Sequence, residues 1–240
     1  MDKKKTKEKK ITKKTRRRSI RNTLMISFVL PVFLMVILGV LSYRIASDAV
    51  LSQYKEATSS TIDAVADHLG VICDAIAAKA LELVGNDDVK AYYAIYYNKS
   101  DAEAVVALKD ARATIENVPT TNKNIYSSGV ISERGKTITS ITSTATENPF
   151  KDFSETAEGK YLAENKAIRN GWLGYHTYVD TITKTDVSKY AMAYYQKLST
   201  PNDILIMDVK MSVVDEILES MDLGDGSVKA LISSDGREII

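Results

Sequence analysis

The chain has 240 residues, and its net charge of +1 conceals a division: residues 1–43 hold 12 of the 32 basic and 2 of the 31 acidic side chains, leaving 20 against 29 in the other 197 residues. An acidic remainder of that length is unsuited to nucleic-acid phosphates and is long enough to bury a core of its own. With Cys73 as the single cysteine, an internal disulfide is excluded and that core must be held by packing.

Lys and Arg crowd residues 3–21, opposed only by Asp2 and Glu8, and residues 22–43 then carry no charge before Arg44. Twenty residues, 24–43, form a helix of about 30 Å, the thickness of a bilayer's hydrocarbon core. Ser27, Pro31 and Gly39 are tolerable inside it, because no lipid-side water competes for the helical hydrogen bonds. The reading is a basic cytoplasmic tail over 1–21 and a transmembrane helix over 22–43, with the bulk of the chain outside the plasma membrane by the positive-inside rule. A cleaved signal peptide is the competing reading, but its apolar core is about 7–15 residues long and ends in a small-x-small site. Leu41-Ser42-Tyr43-Arg44 is a poor one. Next to a membrane helix, the basic run suits anionic lipid headgroups better than nucleic acid.

Residues 44–118 read as an extracytoplasmic helical region. Leu51, Tyr54, Thr58, Thr61, Val65, Leu69, Ile72, Ile76 and Leu83 recur in steps of three and four, the stripe of a long amphipathic helix continuing out of the span. That stripe suits pairing with a second copy or packing on its own domain. Gly85-Asn86-Asp87-Asp88 breaks the helix, a short aromatic helix with Tyr92, Tyr93, Tyr96 and Tyr97 follows, and Ser100-Asp101-Ala102-Glu103 has capping-box spacing for a third. Cys73 reads as a small core residue.

Past Pro119 the texture turns to short β-branched and aromatic runs at 125–132, 136–143, 174–180, 189–197 and 204–209, with Glu133-Arg134-Gly135 turning between the first two and a helix over 155–169. This predicts an α+β fold with a mainly antiparallel sheet, a sensing module over 119–210, a linking helix over 212–221 and the start of a second module by 240. A strand over 228–233 and the hairpin signal Asp235-Gly236 stand at the chain's end, so a longer protein is expected.

Strand alternation across 175–180 puts His176, Tyr178 and Asp180 on one face; Tyr190, Met192 and Tyr194 share a face of the next strand, and Asp208 ends an apolar one. Aromatic walls with converging carboxylates suit a small cation or zwitterion. The alternative, that these tyrosines cover a sheet surface and each aspartate caps a turn or helix, stays open at this point. His68 and Cys73 are about 140° apart around a helix, which separates a nucleophile from its base, and two histidines exclude a His-rich zinc site. Asp222-Leu223-Gly224-Asp225-Gly226 has no downstream calcium ligands and reads as a turn. No metal, cofactor or catalytic set is expected within these residues.

In order, basic tail, span, long helix, α/β module and linking helix resemble the front half of a bacterial methyl-accepting chemotaxis receptor with a double Cache (dCache) domain, a PAS-like sensor fold. Gly171-Trp172, Tyr178-Val179-Asp180, Ile206-Met207-Asp208-Val209-Lys210 and Leu231-Ile232-Ser233-Ser234-Asp235-Gly236-Arg237-Glu238 carry the resemblance. It implies small-ligand sensing by a homodimer. In amino-acid-binding members, Tyr178, Asp180 and Asp208 would hold the ligand's ammonium group, with Arg169 and Trp172 on its carboxylate side. Arg169 stands three residues before Trp172 where the family has two. The same input half also serves sensor histidine kinases and diguanylate cyclases, and a non-sensory anchored surface protein is the third reading.

Overall fold

A computed structural model describes residues 20–94, 102–144, 148–199, 202–224 and 226–233. The tail from Lys3 to Arg18, Tyr96, Tyr97, Ser100, Asp101 and the Asp235-Gly236 turn lie outside them. The chain divides into two units, residues 1–57 and 58–240.

All described residues of the first unit belong to helix α1 (Ile20–Gly85), which carries Pro31 internally. This helix is long and apolar enough to cross a membrane, and apolar side chains from Leu24 to Tyr43 stand exposed.

In the second unit, the last turns of α1 lead to α2 (Asp87–Ala94), α3 (Ala102–Glu116) and α4 (Val118–Thr121). Asn86 ends the long helix and starts the next: its side-chain oxygen accepts from the backbone N–H groups of Asp88 and Val89. The sheet follows: β1 (Ile125–Ile131), β2 (Ile138–Thr139), β3 (Asn170–Leu173), β4 (Tyr190–Lys197) and β5 (Ile204–Lys210), all pairings antiparallel, in the order β2-β1-β5-β4-β3. Between β2 and β3 come α5 (Pro149–Glu155) and α6 (Ala157–Glu164), between β3 and β4 comes α7 (Thr177–Thr183), and α8 (Met211–Glu219) follows β5. The α+β class and the antiparallel sheet are as the sequence predicts.

Each face of the sheet has its own core. On one, Ile125, Val130, Met192, Tyr194, Met207 and Val209 pack with Ile72, Ile76, Ala80 and Leu83 of α1 and with Ile115 of α3. The stripe from Val65 to Leu83 therefore packs on its own domain. Cys73 lies half-buried against this core; burial, reinforced by Asp74, pushes its thiol up to about 11, so it stays a protonated thiol. On the other face Ile131, Ala193, Tyr195, Ile204 and Ile206 meet Phe153, Leu162, Tyr178, Val179 and Ile182 from α5, α6 and α7.

Several predicted elements are corrected. The third strand is not 174–180 but Asn170–Leu173, and 177–183 is helical. Its β-branched residues favour a strand locally, yet Tyr178, Val179, Ile182 and Thr183 are buried at helical spacing, so tertiary packing overrides propensity. The helix expected over 155–169 is shorter, α6 alone, and α5 precedes it unpredicted; the two part at Thr156, whose hydroxyl accepts from Gly159 N–H as a cap. The second strand, expected over 136–143, is only Ile138–Thr139; at its start Tyr92 and Tyr93 engage the Lys136 backbone, whose N–H donates to the Tyr92 hydroxyl and whose C=O accepts from the Tyr93 hydroxyl. Over 228–233 there is no strand beyond a single bridge at Ile232.

Candidate functional site

A polar cluster lies inside the second core, under α7. Its floor is β5. Met207 and Val209 point into the α1 side of the sheet, so strand alternation sends Asp208, which is fully buried, to the α7 side. Ser127, beside it on β1, donates its hydroxyl to Asp208 Oδ2. Asp208 neither ends its strand nor caps a helix: β5 runs on to Lys210, and α8 has no side-chain cap.

Against Asp208 stands His176, the residue preceding α7. Its side chain is wholly buried, and Nε2 donates to Asp208 Oδ1 at 2.6 Å. One helical turn on, Asp180 brings Oδ1 to 3.3 Å from His176 Nδ1, an ion-pair contact without hydrogen-bond alignment, which leaves both atoms without a hydrogen-bond partner. The correction from strand to helix thus keeps His176 and Asp180 together, since residues four apart share a helix face as alternate residues share a strand face.

Tyr190 completes the cluster. A register shift between Tyr190 and Met192 turns it away from Met192 and Tyr194, with which simple alternation had grouped it. Its ring stacks on His176, centroids 4.8 Å apart and planes 14° from parallel. Its hydroxyl donates to Asp180 Oδ2 at 2.7 Å and accepts from the His176 backbone N–H at 3.2 Å. Burial pushes that hydroxyl well above the ordinary phenol range, so it stays a donor.

With a carboxylate oxygen at each ring nitrogen, His176 is an imidazolium. Burial alone pulls its pKa down, but the negative charges of Asp208 and Asp180 held against the ring outweigh it and push the pKa up to about 10.

The helix carrying Asp180 is itself held by a charge. Glu158 Oε1 accepts from the backbone N–H groups of Thr177 (2.7 Å) and Tyr178 (2.9 Å), supplying from α6 the cap that α7 lacks in its own sequence. Gly159 lets α6 fold tightly back on the end of α5: a Cβ there would stand 2.1 Å from the Phe153 carbonyl oxygen.

Among the residues singled out in the sequence, His176, Asp180, Tyr190 and Asp208 converge, whereas Tyr178, two residues before Asp180 and so about 200° around α7 from it, points into the apolar core, its ring 6.0 Å from Phe153. Trp172 and Arg169 do not join them. Trp172 packs edge-to-face on Tyr194, 5.0 Å away, against the α1 core across the sheet. Arg169 is exposed, donates to Leu198 C=O, and accepts through its own carbonyl from Lys197, four residues along β4 from Ala193, the partner of Asp208. At about 3.4 Å per residue that is roughly 14 Å. Ser127 and Glu158 carried no signal in the sequence: one is found only once β1 is paired with β5, the other only once α6 is laid against α7. No family model matches this chain, and no curated protein does.

Proposed function

We propose that this chain is the input half of a membrane-anchored sensor of the chemotaxis-receptor type, with a Cache-like domain outside the membrane that takes a small cationic or zwitterionic ligand. The observation that carries this reading is that one helix, α1, holds both the membrane-length apolar segment and the stripe from Val65 to Leu83 that packs on the sheet. A movement of the sheet against that stripe then has a covalent route to the bilayer. The polar cluster under α7 supplies the ligand chemistry, two carboxylates and an aromatic face, on the sheet's other side. Ligand shifts the domain only as far as it binds one arrangement better than the other. The N-terminal tail lies in the cytoplasm, and the homodimer implied by the resemblance belongs to the same proposal.

A thermal-shift screen of the chain in lipid nanodiscs against amino acids, amines and carboxylates tests it. A binding ligand at a hundredfold its Kd adds about 2.7 kcal/mol of stability. Asp180→Ala is expected to abolish the shift. A ligand whose affinity survives that substitution would place the binding site elsewhere.

A further inference from the structure

Asp208, Asp180 and Tyr190 make up the surroundings of a cation site, and the cation at its centre belongs to the chain. Each of its sides comes from a different element: Asp208 from β5, Ser127 from β1, Tyr190 from β4 and Asp180 from α7, while Glu158 of α6 is engaged by the α7 backbone. Two carboxylates face one imidazolium, so the cluster is one negative charge in excess before Glu158 is counted. A buried ion pair held only for stability is often matched by apolar packing of the same volume, so its presence calls for another explanation. The fit is also uneven. His176 meets Asp208 at 2.6 Å with good alignment, yet it faces Asp180 at 3.3 Å with neither Nδ1 nor Oδ1 finding a hydrogen-bond partner. A ring tethered at the start of α7 reaches one carboxylate well and the other poorly. Buried, unsatisfied polar atoms aimed at each other are uncommon in folded proteins.

We propose that His176 is a tethered occupant of this site, which latches α7 onto the sheet and must be displaced by a small organic cation with N–H donors. The proposal rests on the ligand-sensing reading above and adds its regulation. Entry of such a cation frees the His176 ring from Asp208 and so removes the tie that this ring makes between the start of α7 and β5, which couples occupancy to a loosening of α7. A free cation can turn to satisfy Asp180 Oδ1 as the tethered ring does not. Neutral and anionic compounds gain nothing from the excess negative charge.

The test uses the intact chain in nanodiscs and two ring compounds of the same size: imidazole, protonated at about pH 6, and pyrazole, which stays neutral. His176→Ala is expected to lower Tm and to speed amide exchange across 177–183 by about tenfold or more. Millimolar imidazole should restore Tm while leaving exchange across 177–183 fast, because a free ring carries no tether to α7, and pyrazole should do neither; adding Asp208→Asn should abolish the recovery of Tm, and slow exchange restored by free imidazole would overturn the release of α7. Equal rescue by pyrazole would mean an indifferent cavity, and no rescue by either would mean no cation site; both outcomes overturn the proposal. Should His176→Ala fail to fold, the ring nitrogens of His176 in the unaltered chain decide by nitrogen NMR. An imidazolium persisting to about pH 9 supports the latch, and a neutral ring near pH 7 overturns it. Rescue by imidazole with no hit in the ligand screen would leave the latch standing and the sensing reading fallen; a hit without rescue would do the reverse.

Discussion

The two faces of the sheet are held by different physics. On the α1 side, Ile76, Leu83, Ile115, Met207 and Val209 form an apolar core into which Trp172 and Tyr194 fit edge-to-face. On the α7 side a comparable set of apolar residues surrounds His176, Asp208, Asp180 and Glu158, with His176 and Asp208 fully buried. Apolar area is indifferent to pH and degrades gradually as atoms are removed. A buried charge cluster holds only while every member is present and correctly protonated. The face that packs on α1 is thus built for steady contact, and the opposite face for an all-or-none one.

The strongest way to break this contrast is Asp208→Ala. It strips the buried imidazolium of its better partner and leaves Ser127 without its acceptor; losing one member of a buried pair costs about 3–5 kcal/mol. The pH profile gives the distinctive readout. Because the folded pKa of His176 is raised to about 10 from the ordinary 6.5, its contribution is fully present below about pH 6.5, declines as pH rises, and is gone above about 10. Chemical denaturation of the unaltered chain should show that decline, and Asp208→Ala should flatten it. An unchanged slope would mean that His176 is not the titrating group.

Ile76→Ala sharpens the other side. Ile76 is completely buried in the α1 core, and its truncation is expected to cost about 2–5 kcal/mol. That loss should be the same at every pH, so its denaturation curves run parallel to those of the unaltered chain. A pH-dependent loss would show the two cores to be coupled through the sheet, and the contrast would fail.

How much of this was legible in the sequence follows the same division. The α1 face was readable, because Val65, Leu69, Ile72, Ile76 and Leu83 repeat at helical spacing and the strands of Ile125, Tyr190 and Ile204 are dense in β-branched and aromatic residues. The charged face was read in its residues but not its geometry. His176, Asp180, Tyr190 and Asp208 drew notice as polar side chains in apolar surroundings. Their placement needed the helix at Thr177, whose β-forming residues point the other way locally, and the bulge that turns Tyr190, which leaves no trace in composition. Trp172 was grouped with them by the family resemblance, although it ends on the far side of the sheet. Glu158 was out of reach, since its role depends on α6 meeting the start of a helix nineteen residues later.

The finest distinction concerns what holds the charged face, its charges or its hydrogen bonds, and Tyr190→Phe separates them. The substitution keeps the ring that stacks on His176 and removes only the hydroxyl, which donates to Asp180 Oδ2 and accepts from the His176 backbone N–H. Both of those partners are then left short of a hydrogen bond, at a cost of about 1–3 kcal/mol. Both carboxylates still flank the imidazolium, so the decline of stability between about pH 6.5 and 10 should persist with its slope intact, displaced downward as a whole. If the slope collapsed as it should for Asp208→Ala, the hydroxyl rather than the carboxylates would be what keeps His176 charged. The cluster would then be a hydrogen-bond network whose charge is incidental, and the two faces of the sheet would differ less than their residues suggest.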